Sequence, residues 1–440
     1  MSLESPTERS LLLGESDRDA HGAGRGSSSH IALRVGAAMY SFVMMGFFQS
    51  SLGVMLQPLS QHYSLSDLHV SLIFIAGPVG YVIGAQCSSR VHERCGQKGI
   101  AVLAPMLHLF GALAVAGHPS FVFVLGGLTA AALGAGLLDP SWCVWGASQS
   151  NANTVTGLLQ GAFSVGAAAG PFLAGTVLPA WNRPWYDWYY ALVAASVLEL
   201  CTLLFAFRHE NALKYREEKQ PVGASTDVEG EPRAMLGYLA TWLCALYLLA
   251  YVGTEAAISG WVVSFMIRQR DVAPSSASMA SSGFWGGMAA GRFTLGIVTD
   301  RLGVELATLY YFLAAIALQL VFASVHTSLA SITLMALIGF VMGPMFASGI
   351  VSLTRVLPAR LHVPAVAFAV SAGQIGAALL PFGIGAFIDG LGIGLYPVVI
   401  VVLVMSTLMI WIPILRQRPT KSASHGCGNE EADEDDATTP

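Results

Sequence analysis

Twelve apolar runs, each long enough to cross a bilayer, leave this chain few folds to choose from. They lie at approximately 35–57, 69–89, 100–117, 120–142, 155–178, 187–207, 235–266, 277–298, 304–324, 328–351, 364–388 and 394–414. A helix needs about 20 apolar residues to cross the hydrocarbon. In lipid every backbone N–H and C=O must be paired internally, which only helices and closed barrels achieve. Runs of this length are therefore helices. Charged residues make up 11% of the sequence and apolar ones 54%, against about 25% charged in a soluble domain. The expected fold class is an all-α membrane protein with twelve transmembrane helices, numbered below as spans 1 to 12.

The longest polar interval inside the array, residues 208–233, divides the spans six and six. This gives a disordered N-terminal tail (1–33), a six-helix half (34–207), a central loop (208–233), a second six-helix half (234–415) and a disordered acidic tail (416–440). An even span number places both termini on one side. Of the 22 Lys and Arg residues, 19 fall on the side of the termini and central loop; only Arg183, Arg268 and Arg270 fall on the other. By the positive-inside rule the termini and the central loop are cytoplasmic. The first thirty residues lack a basic segment leading into an apolar core, so no signal peptide is expected there. The six cysteines have no metal or CxxC spacing and read as free thiols. No Asn-x-Ser/Thr sequon marks the topology.

The two halves repeat. Residues 286–303, GGMAAGRFTLGIVTDRLG, hold Arg292, Asp300, Arg301 and five glycines. Subtracting 207 places Gly287 and Gly291 on Gly80 and Gly84, Asp300-Arg301 on Glu93-Arg94, and Gly303 on Gly96. Gly253 and Gly260 fall likewise on Gly46 and Gly53. At an offset of 210, Gly376 and Pro381 fall on Gly166 and Pro171. Parallel six-helix repeats put a substrate path between the halves near the midplane. GxxxG spacing lets helices approach closely. An acid past the cytoplasmic end of span 8 could latch one conformation; alternatively the pair only caps the helix and sets topology.

Gly296-x-x-x-Asp300-Arg301-x-Gly303 resembles the loop motif of the major facilitator superfamily. Its first-half copy, Glu93-Arg94-x-Gly96-x-Lys98, is similar but has Ser89 for the leading Gly and Glu for Asp. The resemblance covers residues 34–415 and implies secondary active transport by rocking of two six-helix halves. Glu93, Arg94, Gly96, Arg292, Asp300, Arg301 and Gly303 form the expected gating set. A finer likeness joins SSLGVMLQPLSQHYSLS, LGAGLLD, LLQGAFSVGAAAGP and YVGTEAAISGWVVSFMI to the fucose permease branch and its fungal relatives. It implies that Asp139 carries the coupling proton and that Gln160 binds substrate. The branch's span 1 acid is Val54 here and its span 5 Asn is Phe163, which argues against fucose itself. Gly166-x-x-x-Gly170-Pro171-x-x-x-Gly175 also resembles the span 5 signature of proton-coupled efflux antiporters. The plainer reading is a helix kink lined by small residues.

An ionisable group at a span centre costs about 2.5–3.5 kcal/mol on insertion scales, so it needs a reason. Asp139 stands between Leu138 and Pro140; it is a coupling site or a partner to the proline kink. Glu255, mid-span in span 7, is a proton or substrate site, or an ion pair holding the halves. Arg292 is a gate residue or snorkels to the cytoplasmic face. His108 and Glu199 are expected to be hydrogen-bonded locally. Gln49, Gln57, Gln160 and Gln374, with Trp142, Trp145, Trp261 and Phe284, could line a pocket of the kind sugars use. Trp142 and Trp145 suit an interface belt equally well, as do the aromatics of RPWYDWYY at 183–190. Glu8 with Leu12-Leu13 resembles an acidic dileucine sorting signal.

The expected function is proton-coupled symport of a small sugar-like or other hydrophilic solute. Proton coupling is assigned to Asp139 and Glu255, and substrate binding to Gln49, Gln160, Glu255, Trp261 and Gln374. The alternatives are an efflux antiporter for a drug or secondary metabolite, and a non-transporting receptor on the same fold. No enzyme motif, metal, cofactor or nucleic-acid partner is expected. The expected partners are substrate, protons and the lipid bilayer, with the chain a monomer in the plasma or vacuolar membrane. Epitope tags at residues 20, 222 and 430 should all be reached only after permeabilisation; a tag at 222 open to the outside would refute the six-plus-six topology.

Overall fold

The computed structural model describes residues 6–149, 152–212, 234–358 and 361–416. Most of the central loop and the acidic tail lie outside them. Among the described residues the chain is helical, with no strand. The first helix is continuous over Pro6–Tyr63, and its membrane-length part is Ile31–Tyr63. Helical backbone thus runs through the described part of the N-terminal segment, from Pro6. A helix can extend outward from a formed span without a second nucleation cost.

Ten stretches among the described residues are long and apolar enough to cross a bilayer. One of them, Asp67–Ala116, contains both spans 2 and 3, which meet at Gly96. Span 8, Pro274–Leu302, is rich in Gly and Ser and completes the twelve. The overlong seventh run resolves into a short 3-10 turn, Met235–Gly237, and span 7 proper, Leu239–Arg270. Span 5, Ala152–Phe172, passes at Pro171 into a π-helical turn, Leu173–Val177. The Gly/Pro pattern there makes the kink that its plainer reading expects, because proline removes a ladder hydrogen bond. Span 10 is broken between Ser328–Met342 and Met345–Val356 by Gly343-Pro344.

The packing has the symmetry of the repeat. Span 1 packs on span 5 as 7 does on 11, and 3 on 6 as 9 on 12. Spans 2 and 8 pack on spans 4 and 10. Between the halves, span 5 meets span 8 and span 2 meets span 11. Lipid tails are as apolar as side chains, so helix association relies on close backbone contact. The glycines matched in sequence supply it. Gly46 lies against the backbone of Gly166, and Gly253 against that of Gly376. Gly80 and Gly84 press on Thr129 and Leu133; Gly287 and Gly291 press on Ala336 and Phe340. The motif glycines also match in conformation: φ is +71° at Gly96 and +85° at Gly303, where a β-carbon would be strained.

The apolar core shows which way the halves lean. One buried cluster joins the second half to the outer part of the first, through residues such as Leu59, Val70, Phe74 and Trp188. The cytoplasmic part of the first half has a separate cluster around Phe42, Leu138, Trp142 and Phe207. The halves are fused at their outer ends and parted at their cytoplasmic ends. Gly376→Val should force the span 7 and 11 backbones apart and cost about 1–3 kcal/mol by overpacking. Gly383→Ala, where a β-carbon meets nothing within 4 Å, should leave thermal unfolding in detergent unchanged.

Candidate functional site

A cavity of about 670 Å³ lies between the halves. Its lining runs from Phe74 and Gly260 down to Thr299, Val304 and Arg355 at the cytoplasmic end. Gln49, Asp139, Gln160, Glu255, Arg292 and Gln374 all face it. Six residues assigned from sequence are thus brought together from spans 1, 4, 5, 7, 8 and 11.

On the first-half wall, Gly136 lets span 4 touch the backbone of Tyr81 in span 2. One turn further on, the Tyr81 hydroxyl donates to Asp139 Oδ2 at 2.5 Å, and the Cys143 thiol points to Oδ1 at 3.4 Å. Gln160 of span 5 lies near the same thiol. Asp139 is therefore held on both oxygens while it faces the cavity.

On the second-half wall, Gly291 is pressed on Phe340, and the next residue, Arg292, turns into the cavity. Its Nη2 lies 4.0 Å from Glu255 Oε1 and 3.4 Å from the Met288 sulfur. Its Nη1 donates to Ser164 Oγ of span 5 at 3.1 Å. Arg292 therefore does not snorkel, because Glu255 and Ser164 offer its charge partners at mid-depth. It bridges spans 7, 8 and 5, and so both halves.

Trp261 is not a cavity residue. It is 1% exposed, its Nε1 donates to the Pro381 carbonyl at 2.8 Å, and it stands behind Phe74. An indole N–H buried in a helix interface needs an acceptor, and span 11 supplies one. Phe284 is buried beside Trp285. Trp142 stacks on Phe207 at 4.4 Å with Trp145 edge-on to the same ring; both anchor the end of span 6 rather than an interface belt. His108 and Glu199 pair at 2.8 Å, both fully buried between spans 3 and 6.

At the cytoplasmic end Glu93, Arg94 and Arg301 are exposed and Gly96 is buried; the side chain of Asp300 lies outside the described residues. The amide of Lys98 donates to the Glu210 carbonyl at 2.9 Å, and the Glu210 carboxylate pairs with Arg34. The first-half motif is thus docked on its own half. The outer ends carry contacts that sequence reasoning missed. Arg268 Nη1 lies 2.7 and 2.8 Å from the two carboxylate oxygens of Asp67. The Asp67 amide donates to Asp389 Oδ1 at 3.0 Å, and Thr176 Oγ1 donates to the Ser275 carbonyl at 3.1 Å. Each contact joins one half to the other. Their one sequence signal was the cation count: Arg268 and Arg270 are two of only three basic residues left on the outer side.

Asp67→Asn should loosen this closure. An exposed pair contributes about 0.2–1 kcal/mol, so the outward-facing population should rise by up to about fivefold. The labelling rate of a cysteine placed at Gln49, by an impermeant thiol reagent added outside, measures it.

The Major Facilitator Superfamily model matches residues 38–254. The chain is 26% identical over 410 residues to the Saccharomyces cerevisiae protein named "Bypass of stop codon protein 6", covering 87% of this chain and 82% of that one. It is 27% identical over 360 residues to the 3-(3-hydroxy-phenyl)propionate transporter of Escherichia coli, covering 80% and 85%. A D-xylose-proton symporter superposes with a TM-score of 0.71 at 12% identity, over 89% of this chain and 100% of that one; it shares the fold. With its twelve spans, its duplicated halves and the cavity between them, the chain is similar to the major facilitator superfamily, and these likenesses support a multi-pass secondary transporter of small molecules.

Proposed function

We propose that the protein is a proton-coupled symporter for a small organic acid with an aromatic or apolar body. The observation that carries this reading is Arg292, a guanidinium held at mid-depth in a cavity with otherwise largely apolar walls, Phe48, Phe74, Phe163 and Phe346 among them. A fixed cation in an apolar space favours an anionic ligand, since an unpaired charge there is costly. The amides of Gln49, Gln160 and Gln374 add hydrogen-bonding groups for hydroxyl substituents. The relative that carries 3-(3-hydroxy-phenyl)propionate supports the same class. A sugar is the poorer fit, because the indoles that would form its platform, Trp142, Trp145 and Trp261, lie outside the cavity lining.

Asp139 is the proposed coupling acid, with Glu255 as its second. A carboxyl facing the cavity can take a proton when the site opens to one side and lose it on the other, which is the alternating-access cycle. Asp300-Arg301 and Glu93-Arg94 are the proposed cytoplasmic latch. The protein works as a monomer in this reading, in the plasma or vacuolar membrane, with Glu8-Leu12-Leu13 as the sorting signal for the latter.

Uptake into proteoliposomes under an inward proton gradient tests the reading with hydroxylated aromatic acids, aliphatic acids and sugars side by side. One pH unit supports about tenfold accumulation for one proton per solute. Aromatic acids should accumulate at least to that level. Asp139→Asn should lower the accumulation reached under the same gradient but keep substrate counterflow, which moves no net proton. Sugar accumulation without acid accumulation would overturn the substrate class, and normal accumulation by Asp139→Asn would make that residue structural. Asp300→Asn should slow transport with surface amount unchanged; equal rates for it and Glu93→Gln would leave the motif a topology device.

A further inference from the structure

Glu255 does not contact Arg292 closely. At 4.0 Å the pair is at the limit of an ion pair, while Ser164 holds the guanidinium at 3.1 Å. Space on the cavity side therefore remains for a second carboxylate to approach Arg292. Arg292 and ionised Glu255 together are neutral. Adding a substrate anion makes the group net negative in a largely apolar cavity, and an excess buried charge is strongly disfavoured. Adding one proton to Glu255 restores neutrality and frees Arg292 for the newcomer.

The surroundings of Glu255 suit that exchange. The Tyr251 hydroxyl, on the same span, gives its one proton to the Met342 carbonyl at 2.8 Å. It has no second proton to give an ionised Glu255. The titratable and charged groups facing Glu255 are Arg292 on span 8 and Tyr251 on its own span. Spans 1, 10 and 11 face the same space with Gln49, Ser348 and Gln374, which do not titrate. Span 12, packed on the other side of span 7, presents Tyr396, whose hydroxyl is donated to the Ile258 carbonyl. Asp139 belongs to the opposite wall and has its own partners, Tyr81 and Cys143. Among the described residues no other acid stands within ion-pair distance of Arg292.

We infer that Glu255 and the substrate carboxylate exchange places on Arg292, with one proton taken up by Glu255 for each monoanion bound. The inference rests on the organic-acid reading above and adds to it the residue that accepts the proton at the binding step. Binding is then electroneutral at this pair. The Glu255 proton comes from water, and the Glu255–Arg292 contact is replaced by a substrate–Arg292 contact. Ser164 keeps Arg292 tied to the first half throughout, so the exchange takes place at the junction of the two halves. Glu255 acts as a stand-in for the substrate, and its proton travels with the substrate in addition to the one assigned to Asp139.

Calorimetric titration of the purified full chain in detergent tests this with benzoate, hydroxybenzoates and phenylpropionates, and with the matching primary amides as uncharged controls. In wild type, affinity for the acids should fall as pH rises, approaching tenfold per unit in the range where Glu255 is ionised in the free carrier. Titrations in two buffers of different ionisation enthalpy should show one proton taken up per anion. Glu255→Gln should bind the acids with an affinity constant within about threefold across the same range and take up no proton. Asp139→Asn should keep the wild-type pH dependence of binding, and Arg292→Gln should lose acid binding without gaining amide binding. Pairs of variants that melt below wild type are judged on the proton count of the wild-type protein alone. Acid binding that stays pH-dependent with proton uptake in Glu255→Gln, or no uptake in wild type, overturns the exchange and leaves the organic-acid reading standing. Failure of every acid to bind wild type at any pH overturns both.

Discussion

Hydrocarbon is a solvent that offers no hydrogen bonds and no hydrophobic reward for pressing one helix on another. The first property makes each span a helix. The second leaves helix association to backbone proximity. In this chain that proximity is concentrated at glycines, and the same glycines recur in both halves: Gly46 with Gly253, Gly166 with Gly376, Gly80-Gly84 with Gly287-Gly291. Each pair fixes an equivalent contact, so the halves fold alike and can meet across a pseudo-symmetric seam. The seam is where the cavity forms.

That seam is closed differently at its two ends. Outside, apolar packing continues from one half into the other and is supplemented by Asp67 with Arg268 and Asp389. On the cytoplasmic side the first half keeps a core of its own, and its motif loop is docked on Glu210. Exchanging one closure for the other requires only that two rigid halves rock. Polar contacts suit such a seam because water can replace them on opening, which it cannot do for a dry apolar interface. Arg292 is the exception, a cation tied to both halves at mid-depth. Its position makes it the natural reporter of what occupies the cavity.

Several site residues were legible because charge and amides are rare in this composition. Asp139, Glu255, Gln49, Gln160 and Gln374 stand out within apolar runs, and all five face the cavity. Trp261 misled because an aromatic in an inner span can serve a pocket or a helix contact, and only its acceptor, the Pro381 carbonyl, separates the two. Arg292 left two readings open for a related reason: a long cationic side chain near a helix end can reach headgroups or turn inward, and the choice belongs to Glu255 and Ser164. Tyr81 and Ser164 gave no signal, since a tyrosine or serine in a membrane helix is common and its hydroxyl usually bonds its own backbone.

Local chemistry is enough to settle what depends on one span at a time. Span length, apolar character, the six-plus-six division and the motif repeat all follow from residues near one another in the chain. The glycine register also survives in sequence, because a close contact leaves the same small residue at the same offset in both copies. Pairing across the chain is a different matter. Asp67 meets Arg268 across 201 positions and Arg292 meets Ser164 across 128. Neither partner has a composition that names the other. Which end of the seam is closed is likewise a balance between two sets of contacts that the same residues could make, and only the packed arrangement of the halves decides it.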